Sequence, residues 1–516
     1  MATRPYHGRV KMPYQTALFL VMMAMVSFSL GQAAELRLGR VFCDHAVLQR
    51  NTTVVIWGWA SPDQVVKVSF AGQTVEAMAS ADGCWEVRLK PMEASMDGRE
   101  LLVVAGEKSE AVRDVLVGDV WHASGQSNMA MTMQSVAKRL ESAVEHIRNA
   151  EHPGLRFCRI QGGPSKVALL ESGELSWARI TPNSVGKVSA VAFYTARKLH
   201  EDLGIPIGIL DSSRGGTPIE PYIPVGAFLN HPTLVREREL GEAEDLAALA
   251  RLPGGVRARD AHWLPGRLFN SRLAPLQRFA VKGALWYQGE SNSGVMEDPR
   301  DYEYKMRALV TGWRASLGQA EMPFYYVQLP GSGAGAGWPY LREQQRLSLS
   351  VPHTGMAVTI DLLEKDIHPA NKVDVGKRLA RLALANTYRR EVVPSGPLFQ
   401  RLTVDGHQAV VHFNHTDGGL RLAVKRGLAP PSSEDEMTLD HVEVADETKV
   451  WHPAVARIDG KTLVVESERV AAPVAVRYAY AVDPQHAYLY NAAGLPASPF
   501  CSHPQWLRYD PQLPKE

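Results

Sequence analysis

The chain is 516 residues long, which at about 100–200 residues per domain predicts two to four domains. Its composition is that of an ordinary globular protein, 45% hydrophobic and 22% charged, with apolar side chains enough for large cores. A formal net charge of +1 excludes bulk electrostatic attraction to nucleic acid or to an anionic membrane, so binding specificity must be local.

Residues 1–34 read as an export signal. Arg4, Arg9 and Lys11 precede an apolar run from Ala17 to Leu30, and Gly31-Gln-Ala-Ala34 supplies small residues for cleavage. No later stretch is long and apolar enough to span a bilayer, so the mature chain is expected to be secreted or periplasmic and off the membrane, an uncleaved N-terminal anchor being the alternative. Cys43, Cys84, Cys158 and Cys501 lie far apart, without Cys-x-x-Cys spacing. They hold no metal, and they read as free thiols, with Cys43–Cys84 the pair that export would permit.

From 35 to 113 short alternating strands are separated by turns such as Ser61-Pro-Asp and Ala81-Asp-Gly, a pattern for a small β-sandwich module. Trp57, Trp59 and Trp85 lie in these strands and read as core rather than as a sugar-stacking platform. The pattern then changes to α/β. The apolar run from Val115 to Ala123 ends in a small-residue turn, Ser124-Gly-Gln126, followed by Ser127 and helical spacing from Met129 to about Ala150. Strand, tight turn, serine and helix together lift a hydroxyl above a sheet edge and aim backbone N–H groups at what it attacks. A plain turn with Ser or Asn as helix cap gives the same local pattern.

Helical spacing over Val188–Leu203 and a buried strand, Ile205–Leu210, lead into Asp211-Ser-Ser-Arg-Gly-Gly-Thr-Pro-Ile-Glu220. Its glycine pair leaves backbone open to a ligand. Residues 226–262 are more polar and read as an insertion over a rim, helical from Glu237 to Arg251. The strand Val281–Tyr287 empties into Gln288-Gly-Glu-Ser-Asn292, placing side-chain amides where open α/β sheets bind ligands. A helix over Tyr302–Leu317 and a strand over Phe324–Leu329 follow. The glycines of 331–337 match no nucleotide-binding spacing. The strand Gly355–Ile360 leads to Asp361-Leu-Leu-Glu-Lys-Asp-Ile-His-Pro-Ala-Asn-Lys372 and a helix from Val373 to Tyr388. Short strands return from about 397, a C-terminal β module.

Four blocks in this order resemble the sialate O-acetylesterase family, within the SGNH-type hydrolases. They are Gly118-Asp-Val-Trp121 with Ser124-Gly-Gln-Ser-Asn-Met129, the Gly215-Gly216 turn, Trp286-Tyr-Gln-Gly-Glu290, and Asp366-Ile-His-Pro-Ala-Asn-Lys372. Weaker likeness extends from Phe42 to Phe500. The resemblance implies an α/β, SGNH-hydrolase-like three-layer core with a parallel sheet over 114–392, flanked by β modules at 35–113 and 393–516. It implies a serine esterase that releases acetate from O-acetylated sugars, sialic acids foremost, without cofactor or metal. Acetylxylan or other polysaccharide deacetylation on the same scaffold, and sugar binding without catalysis, are the alternatives.

On this resemblance Ser127 is the nucleophile, His368 the general base, and the Gly215 N–H an oxyanion donor, with Asn292 or Gln288 adding a side-chain amide. Arg214 stands where the family more often has Trp, and with Glu220 and Glu290 it is assigned to substrate contact, Glu290 also bracing the loops. The orienting carboxylate commonly lies three residues before the histidine, and here that position is Lys365. Asp366 is nominated instead, with Glu364 or a backbone carbonyl as alternatives. The expected partner is an acetylated carbohydrate, and the oligomeric state is not legible.

Overall fold

The computed structural model describes residues 35–242, 263–294, 297–332, 335–362, 364, 366–486 and 488–510. The export-signal expectation and most of the rim insertion lie outside these residues. Among the described residues no helix is long and apolar enough to cross a membrane.

The fold is mixed α/β and is built around one strand, Lys108–Gly125. Its first half pairs antiparallel with Ser95–Ala105, and from Val115 onward every residue is buried. The strand therefore passes through 113 and 114 without a break. What changes there is burial, from one covered face to two, and the sequence changes with it from alternation to a continuous apolar run. The buried half lies at the centre of a sheet. In spatial order its strands are Trp177–Ile180, His152–Arg159, Ile207–Asp211, Lys108–Gly125, Gly283–Tyr287, Phe324–Val327 and Thr354–Ala357. All neighbours pair in parallel except Trp177–Ile180, which is antiparallel.

Helices cover both faces. Ala190–Leu203 starts at Ser189, whose side chain accepts from Ala192 N–H, and it packs against Lys372–Asn386. On the other side Tyr302–Leu317 presents Trp313 edge-on to Trp286 and Phe324. Asp119, fully buried in the central strand, ties three parts of the chain together. It accepts from Gln49 at 2.7 Å, from Arg50 at 3.1 Å and from Tyr388 at 2.9 Å. That network accounts for the Asp of Gly-Asp-Val-Trp without any role in chemistry.

The helix expected over Met129–Ala150 is three short ones: Ser127–Ala130, Met133–Ala137 and Glu141–Arg148. Met131 leaves helical backbone, and Thr132 caps the next segment by accepting from Ser135 N–H. The capping hydroxyl competes with helix continuation there. The rim helix is Val235–Glu242 within the described residues. Trp57 and Trp85 are buried in the core as expected, and Trp59 is half-buried under the guanidinium of Arg37, 3.7 Å from its ring centre. The four cysteines are unpaired. Among the described residues after 397, two four-stranded sheets and one two-stranded sheet follow.

Candidate active site

Three strand ends are level at the carboxyl edge of the sheet, because Ala123 pairs with Asp211 and Gly125 with Tyr287. Gly125 has φ +133°, and a Cβ there would lie 2.1 Å from the Tyr287 carbonyl, so the turn before Ser127 admits only glycine. The turn is bonded on both sides. Gln126 N–H donates to the Tyr287 carbonyl at 3.0 Å, and Arg214 N–H donates to the Gly125 carbonyl at 2.9 Å. Half-buried Ser127 thus stands between the loops that follow its two neighbouring strands. Gly215 comes close enough that a Cβ on it would lie 3.9 Å from Ser127 Cα and Cβ.

The fourth loop brings the histidine. His368 Nε2 lies 2.8 Å from Ser127 Oγ, and Nδ1 lies 3.2 Å from Asp366 Oδ1, which also accepts from His368 N–H at 3.1 Å. Glu364 does not reach the imidazole; its oxygens accept from Ala370 N–H at 2.6 Å and from Arg139. Arg139 ties the loop down. It donates to Asp366 at 2.9 Å and to the His368 carbonyl at 2.8 Å as well as to Glu364. The sequence reading missed Arg139, since an arginine in a polar stretch between short helices carries no signal of its partners. Burial pulls the His368 pKa below its ordinary value; Asp366 opposes that shift, and Lys372 and Arg139 add to it. The imidazole is accordingly neutral at pH 7, the form that accepts a proton.

Four expected site residues are placed otherwise. The Gln288 amide donates to Gln126 Oε1 at 2.9 Å and to Asn292 Oδ1 at 2.7 Å. The Asn292 amide donates to Glu220 at 3.0 and 3.2 Å and to Glu297 at 2.5 Å. Both amides therefore use their N–H groups inside the protein, and neither is left for an oxyanion. Glu220 and Glu290, expected at the substrate, are buried and bonded within the protein, Glu290 to Asn128. Glu220 pairs with Lys305 at 2.6 Å, and Glu297 and Glu237 approach the same ammonium. Burial drives the Glu220 carboxyl up, and Lys305 more than reverses the shift. The three carboxylates converge closely enough to resemble a ligand set, but the cation at their centre is the chain's own lysine. Arg214 remains half-buried beside Gly215, with no carboxylate partner among the described residues.

Glu290 joins a second buried network. Asn128, directly after Ser127, donates to Glu290 Oε1 at 2.5 Å and to the Ile367 carbonyl at 2.9 Å, and its Oδ1 accepts from Lys372. Asn371 caps the helix that Lys372 begins, accepting from Asp374 N–H at 3.0 Å. Asn128 and Lys372 belong to the quoted motifs, where the turn around Asn128 also read as a helix cap and Lys372 was given no role.

A serine hydroxyl held on a neutral imidazole, beside an exposed glycine turn, is the arrangement of an acyl-transfer site. The family model for carbohydrate esterase, sialic acid-specific acetylesterase, matches residues 253–385. Rat (Rattus norvegicus) sialate O-acetylesterase is 28% identical over 93% of this chain and 97% of its own length. The human (Homo sapiens) enzyme is 29% identical over 88% of this chain and 90% of its own. The crystal structure of a carbohydrate acetylesterase from Xanthomonas citri superposes with a TM-score of 0.79 at 34% identity, covering 90% of this chain and 99% of that one. With the site's geometry beside these likenesses, the chain belongs to the sialic acid-specific acetylesterase family of carbohydrate esterases and is an ester hydrolase.

Proposed function

We propose that the protein removes acetyl groups from O-acetylated sugars through an acetyl-enzyme on Ser127, with O-acetylated sialic acids as the preferred substrates. The observation that carries this reading is the 2.8 Å contact between Ser127 Oγ and His368 Nε2 at the sheet's carboxyl edge. His368 takes the hydroxyl proton as Oγ attacks the acetyl carbonyl, and the carbonyl oxygen becomes an oxyanion. The N–H groups of Ser127 and Gly215 receive that charge. As the intermediate collapses, His368 passes its proton to the departing sugar oxygen, leaving acetyl-Ser127. Water, deprotonated by His368, then releases acetate. Asp366 holds the imidazole in the tautomer that presents a bare Nε2 to the serine.

The preference for an acidic sugar rests on Arg214. It is a half-buried guanidinium next to Gly215, and no carboxylate of the described residues pairs with it. The scaffold is read as an SGNH-type core with β modules on either side, and the first 34 residues as a cleaved export signal. Two measurements test the proposal. Ser127→Ala should retain less than about a thousandth of wild-type esterase activity with an unchanged thermal midpoint, since what survives such a loss comes from binding and oxyanion contacts. Acetate release should be faster from O-acetylated sialic acid than from acetylated xylan. Equal rates on both would remove the sialic acid preference while leaving the esterase mechanism in place.

A further inference from the structure

We infer that Lys372 and Glu290 are positioning residues of the deacetylation reaction, acting through the side-chain amide of Asn128 to hold His368 against Ser127. The inference rests on the reading of Ser127 and His368 as nucleophile and base.

Asn128 follows Ser127, and Ile367 precedes His368, so the 2.9 Å bond from the Asn128 amide to the Ile367 carbonyl ties the serine's neighbour to the histidine's neighbour. It is a short brace laid beside the 2.8 Å reactive contact. A carboxamide holds such a brace only in one of its two flips, because rotation by 180° exchanges donor and acceptor. Here the flip is set from both sides. Lys372 Nζ donates to Oδ1, and Glu290 Oε1 accepts from Nδ2 at 2.5 Å. An ammonium donates and cannot accept, while a carboxylate accepts and cannot donate, so the opposite flip would set like against like at both ends.

The whole assembly is buried. Asn128 and Lys372 are 0% exposed, Glu290 is 7% exposed, and the Lys372 ammonium lies 5.2 Å from the centre of the Tyr287 ring. Burial pushes Glu290 up and Lys372 down to about 7, so each charge relies on the other across the amide. Hydrogen-bonded water does not compete at such a site, and an unsatisfied group there is costly. The three residues come from three separate motifs, and the reaction itself uses none of their side chains.

Lys372 also bears on the base directly. The charged groups acting on His368 are Asp366, Lys372 and Arg139; the first favours the imidazolium and the other two oppose it. Below pH 7 Lys372 is largely protonated, so deleting it lets His368 take a proton at higher pH.

The test compares wild type with Lys372→Met, Glu290→Gln and the double variant on p-nitrophenyl acetate, reading kcat, KM, the pH profile and the thermal midpoint. Ser127→Ala in the same assay reports separately on the nucleophile. Lys372→Met should lose about 10–100-fold in kcat with KM within about threefold, the effect of a slightly misplaced base. Its acid limb should move to higher pH. The double variant, which leaves no lone buried charge, should regain the thermal midpoint lost by Lys372→Met but not its kcat. If kcat recovers together with the midpoint and the acid limb stays where it was, the network is structural only and the inference fails. If Lys372→Met does not fold, the double variant decides: wild-type kcat in it overturns the inference, and a 10–100-fold loss supports it. Should Ser127→Ala stay active, the proposed mechanism falls instead.

Discussion

Asp366 meets His368 twice with one oxygen, at Nδ1 and at the backbone N–H, and it does so while 47% of its side chain is exposed. A buried triad carboxylate acts through its charge in low dielectric, whereas this one is screened and shared with Arg139. Asp366→Asn should therefore lose about 10–100-fold in kcat, short of the ~10⁴-fold seen when a buried triad aspartate is replaced. The pH profile gives a sign. Asp366 raises the His368 pKa, so its removal should shift the acid limb of kcat/KM to lower pH, further below the ordinary histidine value of about 6.5. An unchanged profile with wild-type kcat would exclude Asp366 from the site. Glu364→Gln, which leaves the imidazole's own partner in place, should keep kcat within about tenfold of wild type.

Lys305 is 1% exposed and faces Glu220, Glu237 and Glu297. Lys305→Met strands these carboxylates without a cation, and about 3–5 kcal/mol of stability should be lost at pH 7.5. The deficit should shrink in acid. Burial already holds Glu237 and Glu297 above their ordinary values with the ammonium present, and without it Glu220 too rises above its unfolded value. Their contribution is then fully present below the unfolded pKa and lost as pH rises through the folded one. Denaturation at pH 5 and pH 7.5 checks this; an equal loss at both pH values would contradict it.

Gly125→Ala should destabilise by at least about 2 kcal/mol, combining a left-handed φ with a Cβ pressed on the Tyr287 carbonyl. Because the same turn carries Ser127, kcat should fall even where the variant is folded. A variant with wild-type kcat and midpoint would mean the turn relaxes freely.

Arg214→Gln should raise KM for O-acetylated sialic acid roughly tenfold, as expected for losing a hydrogen bond to a charged group, and leave turnover of p-nitrophenyl acetate within about twofold. An equal effect on neutral acetylated xylan would show that Arg214 does not read a carboxylate.

The sequence by itself determined the elements whose signal is local. The helix Tyr302–Leu317 begins and ends where its spacing predicts, and the buried strands fall within two or three residues of their apolar runs. Periodicity and turn residues depend on near neighbours, so one chain suffices to read them. It also determined the candidates Ser127 and His368, which follow strand ends inside specific motifs. Tertiary structure alone decided which polar groups face the site. Gln288, Asn292, Glu220 and Glu290 all sit at the sheet's carboxyl edge, where sequence reads donors and contacts, yet each is claimed by a buried partner from a distant segment. The choice of Asp366 over Glu364 was equally a matter of folding, since Arg139 and Ala370 hold the glutamate away. A carboxylate or amide has the same letters whether it meets substrate or a lysine from another helix. The free energy of burying it is set by that partner, and only the fold brings the two together.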